Sequence, residues 1–257
     1  MTAPLLEARQ LSVAIGGRSV IDALDLSIGI GESVAILGRN GAGKSTLLAT
    51  LAGLRAPVRG TVFFGGDDAA ALPPRQAALR RAWLGQFHAD PFDSTVLETA
   101  LTGRHAHLGR WEWESSRDAD IARGALAAVG LGEMAQRPIR TLSGGERQRL
   151  AIATLLTQAA PLYLLDEPLA HLDLNHQMAV LELFAGASRD CGAGVAMVLH
   201  DPGLAYRFCD RALLLHGDGR TLLGPVDEVL TAPVLSELYG YRLTQLDHDG
   251  HRTFIPE

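Results

Sequence analysis

Lysine is nearly missing from this chain. Of 23 basic residues among 257, all are arginine except Lys44, and 29 acidic residues leave a formal charge of −6. Basic runs are absent too, which argues against a sequence-independent nucleic-acid binder, because such a protein presents a basic face to the phosphates. Cysteine is scarce: Cys191 and Cys209 are too few for a disulfide framework and favour a reducing compartment. Long apolar runs are also lacking. The longest uncharged stretch worth testing, Leu150 to Leu165, is 16 residues and is interrupted by Pro161, short of the ~20 that span a bilayer. The opening MTAPLLEARQ has no basic start ahead of an apolar segment and reaches Glu7 and Arg9 early, so no secretory signal is expected.

What is present is apolar material in short pieces. With 47% hydrophobic residues the chain can bury a large core. Apolar runs alternate with amphipathic stretches, the pattern of an α/β protein with a mostly parallel sheet. Ser33 to Leu37, Leu162 to Leu165 and Val195 to Leu199 are almost wholly apolar, as strands are when helices cover both faces. Each ends at polar residues, where an open α/β sheet places its ligand. The N-terminal third, with LSVAIGGRSV, LDLSIGIGES and GTVFFGGDD, reads as an antiparallel flank. From Phe87 to Thr141 the pattern is helical, at Ser94 to Leu101 and Asp118 to Val129, and the segment holds Trp111 and Trp113. This is read as a helical insertion in a single domain over 1–257, with the helical subdomain at about 87–157. RALLLHGDGRTLLG carries a hairpin signal at Gly217 to Gly219.

The single lysine lies in the most informative segment. Gly38 to Ser45 match G-x-x-x-x-G-K-[ST], after the strand SVAIL and at the start of the helical run KSTLLATLAG. Backbone N–H groups of such a loop wrap phosphates, and the helix N-terminus adds partial positive charge. Lys44 supplies a compact cation and the Ser45 hydroxyl a ligand for Mg²⁺. An Arg fork is broader and differently aimed, so a chain that uses Arg everywhere else departs from it where the geometry demands.

LSGGERQ, Leu142 to Gln148, has two readings. Ser143 and Glu146 form a capping-box pattern, but Gly144 and Gly145 then take the first helical positions, where each costs up to ~1 kcal/mol relative to Ala. Two glycines there admit close backbone approach, and bare N–H groups suit an anion; cap and phosphate site are compatible. Asp166 and Glu167 follow an apolar strand. One carboxylate can hold Mg²⁺ through water while the other polarises an attacking water; the alternative is a helix-start signal. His200 closes another strand, and by itself a structural role is the more common one.

Together these residues resemble the ATP-binding cassette (ABC) ATPase family, and the resemblance covers essentially the whole chain in family order: phosphate loop, Gln86, LSGGE, Asp166 and Glu167, the AHLD segment ending at Asp173, and His200. The resemblance implies a phosphate-loop NTPase (RecA-like) core with an N-terminal antiparallel β subdomain and an α-helical insertion. It implies that Gly38, Arg39, Asn40, Gly41, Ala42, Gly43, Lys44, Ser45 and Thr46 bind nucleotide. Ser45 and Gln86 would ligate Mg²⁺ with Asp166 behind them; Glu167 would be the general base, and His200 would contact the γ-phosphate. Ser143, Gly144 and Gly145 would face the ATP of a second subunit, and Asp173 would couple the two sites. The implied cofactors are ATP and Mg²⁺, and the implied unit is a homodimer.

One departure concerns the base. Where the family usually places an aromatic residue to stack on adenine, this chain has Ile15, 29 residues before Lys44. Its fifth signature residue is Glu146, a variant that keeps the capping role. In texture the chain is most similar to ATPase subunits of importers for ferric siderophores, haem or cobalamin. This implies permease subunits, an indirect substrate-binding protein, no nucleic acid, and a peripheral place on the cytoplasmic face of the inner membrane. An exporter ATPase and a soluble ATP-switched regulator share the same chemistry. Phe87, Phe92 and Val96 are candidates for a groove that receives the permease, or else for the insertion's own core.

Overall fold

Period-two alternation near the N-terminus produces strands with one wet face. The computed structural model describes residues 3–86 and 93–257. It begins with β1 (Leu6–Ile15) and β2 (Arg18–Ile28), followed by β3 (Ser33–Gly38), helix α1 (Lys44–Leu51), β4 (Arg59–Phe64) and the short β5 (Asp67–Asp68). Strands β2, β1, β4 and β5 lie in that order in an antiparallel sheet, which is the flank expected from the glycine turns. Next come α2 (Pro74–Arg80), β6 (Ala82–Leu84), α3 (Val96–Leu101), α4 (Ser116–Ala128) and α5 (Gly144–Gln158). Among the described residues from 93 to 158 no strand element occurs, in keeping with the helical pattern.

The remainder alternates again: β7 (Leu162–Leu165), α6 (Leu174–Cys191), β8 (Gly194–Val198), α7 (Pro202–Phe208), β9 (Arg211–Leu215), β10 (Thr221–Pro225), α8 (Val226–Val229), α9 (Ala232–Tyr239) and the hairpin β11 (Leu243–His248) and β12 (His251–Pro256). The main sheet runs β10-β9-β3-β8-β7-β6. Five strands are parallel, and only β10 is antiparallel, paired to β9 through the turn at Gly217 to Gly219. β3 sits between β8 and β9, and every one of its residues is buried. Its loop therefore leaves from the middle of the sheet, beside the ends of β8 and β9.

Alternation along the parallel strands sorts side chains into two cores. Ala35, Leu37, Tyr163, Leu165, Val195 and Met197 face a cluster shared with the helical region and α6. Val34, Ile36, Leu162, Leu164, Ala196 and Val198 face one shared with α1 and the antiparallel sheet. The helical region is anchored through Val96, Leu126, Ile152 and Ala153, all fully buried in the first cluster. Val96 is thus core and does not line a groove; Phe87 and Phe92 lie outside the described residues. A buried ion pair, Arg104 Nε to Asp118 Oδ1 at 2.8 Å, ties the turn after α3 to α4. No helix among the described residues is long and apolar enough to cross a membrane.

Leu126→Ala opens a cavity where α3, α4 and α5 meet and should cost about 2–5 kcal/mol, read from a lowered denaturant midpoint with an unchanged slope. The two thiols differ as well. Burial pushes the Cys209 thiol up to about 12, whereas Cys191 is exposed. A maleimide at neutral pH should label one thiol in the native chain and two after denaturation.

Candidate active site

The loop leaving β3 is shaped by what it cannot accommodate. Gly43, immediately before α1, has φ +97, and a Cβ there would lie 2.8 Å from Val20 Cγ2. As N-cap residue it offers no side chain to the first turn of α1, so the leading N–H groups remain available to an anion. Lys44 is 6% exposed. Its Nζ donates to the carbonyl oxygens of Gly38 at 2.8 Å and Arg39 at 3.2 Å, so the ammonium braces the loop from inside. Burial lowers its pKa, while the charges of Glu167 and Asp166 oppose that shift.

The acids arrive from β7, which is separated from β3 by β8. β7 delivers Asp166, 3% exposed, and its N–H donates to Leu84 O at 2.9 Å, which pins the strand end to β6. Ser45 Oγ donates to Asp166 Oδ1 at 3.0 Å. Burial pushes the Asp166 carboxyl up, the Ser45 bond opposes, and the charge of Glu167 raises it further. Glu167 has φ +51, a left-handed conformation uncommon outside glycine. It meets His200 at the end of β8, Nε2 to Oε1 at 3.0 Å. Helix α6 starts only at Leu174, so the acidic pair is not a helix start.

These groups converge. A cleft of about 450 Å³ is lined by Asn40, Gly41, Gly43, Lys44, Ser45 and Thr46 from the loop, with Ile15, Gln86, Glu167 and His200 around it. Arg39 presents its carbonyl to Lys44 and also accepts from Ala42 N–H at 3.1 Å, and Asp166 is bonded to Ser45. A larger cavity of about 780 Å³ shares only Gln86 with the cleft. Hydroxyl, carboxylate and amide oxygens are hard donors suited to Mg²⁺, which keeps waters and phosphate oxygens in its shell. The Ser45 hydroxyl, bonded to the Asp166 carboxylate, and the Gln86 amide at the cleft supply donors of this kind.

Ser143, Gly144, Gly145 and Asp173 do not line this cleft. Ser143 caps α5: its N–H donates to Glu146 Oε2 at 2.7 Å, and Glu146 N–H returns to Ser143 Oγ at 3.3 Å. Those bonds hold the Glu146 carboxyl below its usual range, the backbone one foremost. A Cβ on Gly145 would sit 3.0 Å from His171 O. The close approach anticipated at this glycine therefore has an occupant in the chain's own backbone. Asp173 caps α6, accepting from His176 N–H at 2.9 Å and lying 2.7 Å from His176 Nδ1.

A central strand, a glycine loop, a helix, and two acids at the end of a strand two places along the sheet define a phosphate-loop nucleotide hydrolase. The ABC transporter family profile matches residues 21–170, and this chain belongs to that family of ATPases. The hemin import ATP-binding protein of Nocardia farcinica is 42% identical, over 95% of this chain and 85% of that protein. That of Bordetella pertussis is 39% identical over 95% of each. The cobalamin import ATP-binding protein of Halobacterium salinarum is 38% identical over 93% of this chain, which spans 59% of that protein's length. Among solved structures, a chain of an inward-facing ABC transporter assigned to the metal-chelate type superposes with TM-score 0.84 at 27% identity, covering 100% of this chain and 98% of that one. The dimeric ATP-binding cassette MJ0796, in a post-hydrolysis state bound to ADP and Pi, gives 0.75 at 26% identity, covering 86% and 98%.

Ile15 is 41% exposed and lines the cleft with an aliphatic side chain. Ile15→Tyr should tighten ATP binding by roughly two- to tenfold through the added stacking, read by titration with ATP and GTP in parallel. Unchanged affinity for both would remove Ile15 from base recognition.

Proposed function

We propose that the chain is the ATP-hydrolysing subunit of an importer for iron-siderophore, haem or cobalamin-type cargo, and works as a homodimer against membrane permease subunits. The observation that carries the reading is the convergence of Lys44, Ser45, Gln86, Glu167 and His200 on one cleft; the hemin and cobalamin import relatives support the cargo class. A substrate-binding protein would deliver cargo to the permease, and the chain would sit peripherally on the cytoplasmic face of the inner membrane. The chain is one cassette over 1–257, with its helical subdomain at about 87–157.

The residues take the following roles. Lys44 and the amides of Gly38 to Thr46 neutralise the phosphates, and Ile15 packs against the base. Mg²⁺, held by Ser45 and Gln86 with Asp166 behind them, would supply charge neutralisation at the phosphate oxygens. Glu167 takes the proton from the attacking water, while His200 orients its carboxylate and reaches the γ-phosphate. Ser143, Gly144 and Gly145 of a second copy close over the nucleotide, and Asp173 couples the two sites. ATP closes the pair, closure moves the helical region through Gln86, and hydrolysis reopens it.

Glu167→Gln should lower kcat by about 10²–10⁴-fold while retaining ATP binding and ATP-dependent dimers in sizing chromatography. Lys44→Arg should lose turnover as well, because the fork does not fit the ammonium's place. Full turnover in either variant would overturn the assigned roles. A polytopic membrane protein should co-purify from detergent extracts; a chain that stays wholly in the soluble fraction would instead favour an ATP-switched regulator, and outward cargo flux in vesicles an exporter.

A further inference from the structure

Between Glu167 and α6 the backbone makes a tight turn, Pro168 to Leu172. Two non-glycine residues adopt the left-handed region here: Glu167, just before the turn, at φ +51 and His171, within it, at φ +63. Such conformations persist where surrounding contacts enforce them. Inside the turn, Ala170 N–H donates to Glu167 O at 3.1 Å and Leu172 N–H to Leu169 O at 3.3 Å. Two glutamines hold it from outside. Gln148 on α5, 7% exposed, donates from Nε2 to Pro168 O at 3.0 Å. Gln177 on α6 donates from Nε2 to Leu172 O at 3.0 Å. Neither side chain lines the nucleotide cleft.

We infer that Gln148 and Gln177 are positioning residues for ATP hydrolysis, their amides clamping the two ends of the strained turn so that the Glu167 carboxylate is held at the cleft beside His200. Pro168 is buried, so without Gln148 its carbonyl loses a donor that water does not readily replace. The backbone next to Glu167 is then free to leave the left-handed region, and the carboxylate leaves its place. Gln148 also lies on the helix that begins with Ser143 to Gly145, so the end of α5 and the turn bearing Glu167 move as one piece. The inference rests on the assignment of Glu167 as general base.

Gln148→Met keeps length and apolar bulk and removes the amide that donates to Pro168 O. In the full-length chain with its permease, it should lower kcat by about 10- to 100-fold, the range for a displaced catalytic group. The dissociation constant of a fluorescent ATP analogue should stay at its wild-type value, while the melting temperature falls modestly for the lost buried hydrogen bond. Gln177→Met, at a half-buried site, should move kcat in the same direction and carries the test alone if Gln148→Met does not fold. Wild-type kcat in the variants overturns the inference, and so does a fall in nucleotide affinity in parallel with kcat, which marks a merely structural role. Should Glu167→Gln abolish turnover while both glutamine variants run at the wild-type rate, only the positioning role fails. Should Glu167→Gln retain turnover, the assignment of the base fails first.

Discussion

An ammonium buried beneath its own loop is the interaction on which the site depends. Lys44 gives up most of its hydration, and the carbonyls of Gly38 and Arg39 return part of it at 2.8 and 3.2 Å. The balance comes from the carboxylates of Asp166 and Glu167, whose charges favour the protonated lysine. The dependence is mutual, because Asp166 is itself pushed up by burial. A buried charge without partners would cost several kcal/mol. Loop, lysine and acids are therefore one electrostatic unit, and phosphates entering the cleft add negative charge where the field already supports a cation.

That unit is possible because β3 and β7 end at the same rim of the sheet. β8 lies between them, so three strand ends deliver the loop, the acids and His200 within reach of one another. The side chains of these strands divide between two cores by simple alternation. One face of the sheet thus supports α1 and the phosphate loop, while the other supports the helical region and the turn after Glu167. The chemistry stands on the rim between two independently packed faces.

Much of this was legible from the residues alone. The glycine-lysine loop, the apolar strands and the capping pattern at Ser143 are local features, and local chemistry fixed them: each needs only spacing and residue type. Other features depended on distant partners. Gly145 reads as an opening toward an anion, yet its missing Cβ also makes room for His171 O, a contact invisible to any local pattern. Gln148 looks like an ordinary polar residue on an amphipathic helix until Pro168 appears opposite it. Val96 reads equally well as groove or core, and only its contacts decide that it is core. The β11–β12 hairpin at the C-terminus, which packs on α7, gave no signal, because its alternation is short and mostly polar.

The near-absence of lysine also has a consequence for the chain's covalent chemistry. Twenty-two guanidinium groups carry the remaining positive charge, and none reacts as a primary amine does. The one side-chain amine in these 257 residues is 6% exposed and hydrogen-bonded within the phosphate loop. Acylation, reductive methylation or amine cross-linking therefore finds a single internal address, and reaching it means dismantling the nucleotide site. The outer surface carries no lysine for amine reagents, so among side chains the reaction centre is the one place where they would register.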